Sequence, residues 1–271
     1  MLKSKPTKCY FDETIEIAGS VNTESLLLEW SEAPWDTSVM GYPVIQISRL
    51  SVRGPAANSD IVAYETVRDR VGCGLVSCRL PSDSLCESMF LEEHGFKFIE
   101  LIYQPELSGL QDNLNFDFSG LTVRPACDDD ISSILNIADN AFHNERFHID
   151  PRLNPRFGNQ RYCNWIKSSL LHRKQELYVV LEKSLLVSFF ITELLPDRIC
   201  YWHLNAVSPN LQGKGYGRRS WLAMLELSKE QGVEKVRTSI VARNYRVLNL
   251  YSSLGFRFSS PKMTFHWVRR S

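Results

Sequence analysis

The sequence carries no surplus charge: 31 Lys and Arg stand against 31 Asp and Glu, for a formal net charge of zero. No dominant basic field is expected, which argues against nucleic acid or an anionic membrane surface as the partner. No apolar run approaches the roughly 18 residues that a membrane-spanning helix needs. The first ten residues, Met1 to Tyr10, hold lysines and a proline but no apolar stretch of the kind a secretory leader carries. The seven cysteines are an odd set. Cys73 and Cys78 are too far apart for a CxxC pair, and no Cys/His cluster has zinc spacing. Neither a disulfide framework nor a metal site is expected. The composition reads as reduced, mostly buried thiols in a cytoplasmic protein.

Two familiar phosphate-binding patterns are also missing. Gly213-Lys214 is not followed by Ser or Thr, so there is no Walker loop. Gly213, Gly215 and Gly217 space as GxGxG, late in the chain, rather than as the GxGxxG of a dinucleotide fold. What is present is Leu204-Asn-Ala-Val-Ser-Pro-Asn-Leu-Gln-Gly-Lys-Gly-Tyr-Gly217, a strand-like segment running into a glycine-rich turn and then a helix. Glycine tolerates positive φ and lets a ligand approach the backbone closely. The free N–H groups of the following helix point back at the turn, so the segment is expected to cradle a pyrophosphate.

A second motif follows at Asn244-Tyr-Arg-Val-Leu-Asn-Leu-Tyr-Ser-Ser-Leu-Gly-Phe256. Val247, Leu250, Tyr251 and Leu254 recur at helical spacing, Gly255 supplies a left-handed C-cap, and Phe256 leads into a strand. Together, Gln212-x-x-Gly215-x-Gly217 and Asn244 with Leu250, Tyr251, Gly255 and Phe256 resemble the two signatures of the GNAT N-acetyltransferase superfamily. Val247 stands where a small residue is usual.

That resemblance implies acetyl-CoA as cosubstrate and no metal. It implies backbone pairing of Ala206 and Val207 with the pantetheine arm. It also implies a pyrophosphate held by Gln212, Gly213, Lys214, Gly215, Tyr216, Gly217 and Arg218, and Asn244 on the cofactor arm. Tyr251 falls on the position of the family's general acid, where a phenol can donate to the leaving thiolate. A proton acceptor is also needed, because an alkylamine is mostly protonated near neutrality. The strand before the loop, Cys200 to Val207, lacks a carboxylate. His203 is its best base, with Glu193 on the preceding strand a weaker choice and a water chain a third. Strand alternation sets Tyr201, His203 and Asn205 on one face.

With 271 residues and 44% hydrophobic content, two domains are expected. The boundary falls in the turn-rich stretch 105–120, read as a linker. From residue 121 onward the expected order is β-α-α-β-β-β-α-β-α-β-β. It includes Asp128 to Asp130 at a helix start, Ile131, Ile134, Leu135 and Ala138 as that helix's inner stripe, and a second helix over 160–171 anchored by Tyr162, Trp165, Ile166 and Leu170. Strands follow at Glu176–Leu181, Leu185–Leu194, Ile199–Val207 and Lys235–Val241, and after the Tyr251 helix around Phe256–Phe258 and Met263–Val268. This is the order of the GNAT fold, α/β with a mixed, mostly antiparallel sheet flanked by helices. Residues 1–104 form a smaller α/β domain. Leu91-Glu-Glu-His-Gly-Phe-Lys-Phe98 echoes Tyr251-Ser-Ser-Leu-Gly-Phe-Arg-Phe258. The N-terminal domain thus reads either as a reduced GNAT-like unit without a cofactor loop or as an ordinary helix–glycine–strand junction.

On the acceptor side, Glu29 to Ile47, Ala141 to Asp150 and Arg161 to Ile166 resemble the sugar-nucleotide N-acetyltransferases of the dTDP-fucosamine type, through Arg146, Phe147, Tyr162, Trp165 and Ile166. Tyr42 and the region 50–90 depart from that pattern. Arg146, Arg161 and Arg156 are candidates for a substrate diphosphate, which guanidinium binds bidentately. The partner is then a small-molecule amine, an amino-sugar nucleotide foremost, with the protein a monomer or homodimer. Acetylation of a protein N-terminus, polyamine or antibiotic stays open, as does a non-catalytic acyl-CoA-binding module.

Overall fold

The computed structural model describes residues 17–112, 118, 120–171 and 174–270. The described chain packs as two compact units, one of residues 103–144 and 158–259, the other of 17–102, 145–157 and 260–270. The first contains the glycine loop and is termed the loop unit; the second is termed the N-terminal unit.

The loop unit is built on a sheet with the strand order Glu106–Ser108, Lys235–Thr238, Ile199–Val207, Leu185–Leu195, Gln175–Glu182 and Thr122–Pro125. Ile199–Val207 and Lys235–Thr238 are parallel; the other neighbours are antiparallel. Both faces are covered, so its central strands carry apolar runs rather than alternation. In Leu185–Leu195, Phe189 and Phe190 both lose all exposure but join different cores. Phe190 packs with Trp202, Trp221 and Tyr251 under the helices Tyr216–Glu230 and Tyr245–Ser253. Phe189 packs with Ile134, Ile137, Tyr162 and Ile166 under Ile131–Ala141 and Arg156–Ser169. The Phe190 ring meets Trp202 and Trp221 edge-on at 5.2 and 4.8 Å, pairings worth about 0.5–1.5 kcal/mol each beyond their burial.

The N-terminal unit has the strand order Ala18–Asn22, Leu26–Glu32, Val44–Val52, Leu75–Pro81, Lys262–Val268 and Lys97–Tyr103. Its core gathers Leu26, Leu28, Trp30, Ile45, Tyr64, Phe96 and Phe265. Only Val44–Val52 and Leu75–Pro81 pair in parallel, and as in the loop unit the two are joined through helix. The sequence echo is a structural one. Helix Leu85–Glu93 ends at Gly95 with φ +82°, and the Phe96 N–H returns to Leu91 O at 3.0 Å. Helix Tyr245–Ser253 ends at Gly255 with φ +87°, and the Phe256 N–H returns to Tyr251 O at 3.0 Å. Both are Schellman closures, which satisfy the last carbonyls of a helix. The turn after Val44–Val52 contains Gly54, whose φ is not left-handed, so it lacks the conformation of the glycine loop.

Several expectations change. The strand expected at Met263–Val268 to close the loop unit's sheet runs from Lys262 to Val268 and lies in the N-terminal unit, between Leu75–Pro81 and Lys97–Tyr103. Its alternation marks a strand but not the sheet it joins. The corresponding edge of the loop unit is taken by Glu106–Ser108, inside the stretch read as a linker. Leu107 and Leu110 anchor that stretch in the core, and Pro105 O accepts the Thr238 N–H at 3.1 Å. Residues 113–117 and 119 of the stretch, and the first sixteen residues, lie outside the described set. At Phe256–Phe258 there is only a bridge, in which Arg257 and Glu106 exchange backbone bonds of 2.8 and 2.9 Å. Leu170, expected as a helix anchor, lies past the helix end and is 46% exposed. Residues 145–157 and 260–270 pack with the N-terminal unit, so neither unit is one continuous stretch of sequence. Of the described cysteines, Cys73, Cys78 and Cys200 are buried, while Cys86 and Cys127 are exposed.

Candidate active site

The site begins with a divided strand. Lys235–Thr238 pairs along Ile199–Val207 only as far as Trp202↔Thr238, whereas Leu185–Leu195 continues on the other edge to Val207↔Ser188. From His203 to Val207 the first edge has no strand partner in this sheet. Val207 therefore turns its backbone groups to an open edge, suited to an extended ligand that adds like a strand. The Ser208 N–H donates to Val187 O at 2.8 Å, which sets the Ala206 groups, expected to pair with the arm as well, toward Leu185–Leu195.

A bulge at His203 accompanies the division, for the register with Leu185–Leu195 jumps between Trp202 and Leu204. A bulge bends and twists its strand. It also reverses the facing of the residues beyond it. Cys200 and Trp202 join the core under Tyr216–Glu230, but Leu204 and Ala206 join the opposite core. The expectation that Tyr201, His203 and Asn205 share a face is thereby corrected. Asn205 turns toward Tyr251, and His203 stays with Tyr201 on the other face.

Tyr251 is 1% exposed, with its ring edge-on to Phe256 at 4.8 Å and to Trp221 at 6.3 Å. Burial raises its phenol above the ordinary value, while the polar groups of Trp221, Thr238 and Asn205 act in the opposite sense. The Trp221 N–H faces the phenol without closing a hydrogen bond. The buried phenol thus keeps its proton near neutral pH. It lies beside Thr238, the residue at which the strands part, whose hydroxyl donates to Trp202 O at 2.8 Å.

On the opposite face, His203 Nε2 lies 2.8 Å from Glu193 Oε2. The ring is flanked by Tyr201 at 4.7 Å and Trp165 at 6.0 Å. The Trp165 N–H reaches Gln175 Oε1 at 3.3 Å, and Arg161 lies over the Trp165 ring at 5.7 Å. The sequence leaves Glu193 and His203 as alternatives; the structure joins them. The Tyr201↔Glu193 register is the signal that connects them.

The loop takes the expected shape. Gly213 and Gly215 have φ of +76° and +83°, and an added Cβ at either meets nothing within 4 Å. Backbone conformation, not space, is what calls for glycine there. Gly215 is the N-cap of Tyr216–Glu230, and the first helical bond runs from Arg219 N–H to Gly215 O. The amides of Tyr216, Gly217 and Arg218 consequently precede the helix's own bonding, the arrangement that suits an anion. Side chains behave differently from expectation. Gln212 Nε2 donates to Val207 O at 3.2 Å, folding the loop onto the strand end. Arg218 donates to Ser253 Oγ at 2.9 Å. Glu182 accepts from Tyr216 Oη at 2.6 Å and from Arg219 at 3.0 Å. Lys214 is exposed. Asn244 caps Tyr245–Ser253 by accepting from the Val247 N–H, so its carboxamide oxygen serves the helix. These groups fit a pyrophosphate held mainly by backbone amides. A groove of about 620 Å³ beside Ser208, lined by Arg124, Ser133, Asn136 and Lys183, touches none of Tyr251, His203 or the loop glycines.

Of the arginines expected at the substrate, Arg161 belongs to the loop unit and Arg146 and Arg156 to the N-terminal unit, with Arg156 and Arg161 on the one helix Arg156–Ser169. Arg146 is 8% exposed, pairs with Asp36 at 3.4 Å and covers the Phe147 ring at 4.4 Å. That is the environment of a structural ion pair. Nearby, Asp150 accepts from Arg152 at 2.8 Å and from His266 Nδ1 at 2.9 Å. Burial, with Arg146 and Arg152 adding to it, lowers His266 to about 4, so its imidazole is neutral. Burial alone would raise Asp150, but those hydrogen bonds hold it well below the carboxylate range. Residues 145–157 are thereby fastened to the N-terminal sheet. Among the described residues no cluster could hold a metal ion, and no helix is long and apolar enough to cross a membrane.

Residues 133–256 match the model of the acetyltransferase (GNAT) family. The spore coat polysaccharide biosynthesis protein SpsD of Bacillus subtilis (strain 168) is 19% identical over 243 residues, covering 89% of this chain and 83% of that protein. A GCN5-related N-acetyltransferase from Sphaerobacter thermophilus superposes with a TM-score of 0.61 at 12% identity, over 92% of this chain and 82% of that one. A tandem GNAT protein from the clavulanic acid biosynthesis pathway gives 0.58 at 12% identity, over 91% and 80%.

Proposed function

Because residues 133–256 form an acetyltransferase domain of the GNAT family, we propose that this acyl-CoA-dependent enzyme acetylates the primary amine of an amino-sugar nucleotide. The carrying observation is the open edge from His203 to Val207, which leads from the glycine loop toward Tyr251 with His203 on the opposite face of the sheet. The sugar nucleotide is supported by the likeness to SpsD, a polysaccharide biosynthesis protein, and by the resemblance carried by Arg146, Phe147, Tyr162, Trp165 and Ile166. Arg161 is the substrate arginine this reading keeps.

Acetyl-CoA supplies an acyl group on a good leaving thiol. His203 takes one proton from the acceptor ammonium, leaving a neutral amine. The amine lone pair forms the N–C bond, and the C–S bond breaks with its electron pair on sulfur. Tyr251 gives that sulfur its proton and recovers one from the new amide nitrogen. His203 releases its own to water, so the sum is amide, free thiol and one proton. The amides of Gly213 to Arg218 hold the pyrophosphate, and Val207 aligns the arm.

The test is mass spectrometry after incubation with acetyl-CoA and a panel of UDP- and dTDP-amino sugars, polyamines, peptide N-termini and aminoglycosides. Acetylation confined to amino-sugar nucleotides is expected. Product on another amine class instead moves the acceptor. No product and no thiol release, despite acetyl-CoA binding, favours a non-catalytic module.

A further inference from the structure

The loop unit's sheet carries a cross-strand row of Gln175, Glu193 and Tyr201, set by the registers Gln175↔Glu193 and Glu193↔Tyr201. The bulge turns His203 onto that row. We propose that Glu193 is a positioning residue for the reaction: its carboxylate holds the Nε2–H tautomer of His203 and so makes Nδ1 the proton-accepting nitrogen. The inference rests on the role proposed for His203 and is tested so that the two fail separately.

A neutral imidazole has one donor and one acceptor nitrogen, and an ionised carboxylate only accepts. With Glu193 Oε2 at 2.8 Å from Nε2, the proton belongs on Nε2, and the hydrogen bond made by one nitrogen sets the role of the other. The geometry is restrained from several sides. The His203 and Glu193 side chains keep 18% and 19% of their exposure, so the pair is shielded without being sealed. The Tyr201 ring lies tilted by 53° at 4.7 Å, and Trp165 stands edge-on at 6.0 Å. Trp165 is in turn held by Gln175, the next member of the row. A ring flip would bring a carbon rather than Nε2 to the carboxylate, at the loss of a charge-assisted hydrogen bond. Glu193 touches neither amine nor thioester in this scheme and acts through the imidazole.

The tautomer is readable without any acceptor. In the full chain labelled with ¹⁵N-histidine, the His203 signals are assigned by their loss in His203→Asn. A slowly exchanging proton on Nε2 is expected in the native chain and in Glu193→Gln, whose carboxamide oxygen still accepts, and is lost in Glu193→Ala. A proton found on Nδ1, or an Nε2 proton undisturbed in Glu193→Ala, overturns the inference. With an acceptor found in the amine panel, Glu193→Ala is expected to lower kcat about tenfold to a hundredfold, with KM for acetyl-CoA unchanged and much of kcat restored in Glu193→Gln. If His203→Asn keeps full kcat, the role of His203 falls; if His203→Asn is impaired and Glu193→Ala is not, only the positioning role falls.

Discussion

Glu100 should make the N-terminal unit less stable as pH rises, and Glu100→Gln should abolish that trend. The side chain is 5% exposed, and its Oε2 has no hydrogen-bond partner. Beside it in register, Thr264 keeps an unpartnered hydroxyl, and two residues further the buried Nε2 of His266 is unpartnered too. Burial pushes Glu100 from 4.5 up to about 7, helped by the charge of Glu145; Arg146 and Arg79 work against the rise. The folded state thus holds the proton more tightly than the unfolded chain. The penalty is absent below about 4.5, grows between 4.5 and 7, and is complete above. At about 1.4 kcal/mol per pH unit its full size is about 3 kcal/mol, of which about 2–3 kcal/mol develops between pH 5 and 8.5. The assay is hydrogen exchange of peptides spanning Lys97–Tyr103 and Lys262–Val268, with exchange rates corrected for pH. His266, neutral when folded, gives an opposite trend below about pH 6.5 that both proteins share, so it is the opening free energy of the native chain relative to Glu100→Gln that should fall by that amount across the range. Equal pH dependence in both proteins would refute a buried, proton-retaining Glu100.

Two further outcomes are expected in the loop unit. Gly213→Ala places a Cβ on a residue with φ +76°; the left-handed strain costs about 1 kcal/mol or more, and calorimetry should show acetyl-CoA binding weakened by about tenfold with the melting temperature little changed. Tyr251→Phe keeps the ring packed against Trp221 and Phe256 but removes the phenol, so kcat should fall by about a hundredfold with acetyl-CoA affinity retained; unchanged turnover would remove Tyr251 as the acid.

What the sequence disclosed was local. Gly213, Gly215 and Gly255 announce left-handed turns because no other residue adopts them cheaply, and the helices beside them come from apolar spacing. What it hid depends on register. The bulge at His203 leaves no mark in Tyr201-Trp-His-Leu-Asn205, yet it sends Asn205 to Tyr251 and His203 to Glu193. The hairpin that fixes the Glu193–Tyr201 register turns through Asp197 and Arg198 with φ of 60° and 54°, without the glycine that usually advertises such a turn. Glu106–Ser108 is too short a strand to show a period. The alternation of Met263, Phe265 and Trp267 against Thr264 and His266 shows a two-faced strand, but sheet membership is a tertiary choice.

That choice has a consequence for how the chain is made. Most of the N-terminal unit is synthesised before the loop unit, yet Lys262–Val268, which pairs with both Leu75–Pro81 and Lys97–Tyr103, follows the loop unit in sequence. Until it arrives, two strands present unpaired edges, a hazard for misassociation. The unit's completion closes a loop of well over a hundred residues, which slows folding through the entropy of joining distant segments. A nascent chain of this protein must therefore wait, sheet unfinished, until Lys262–Val268 is released.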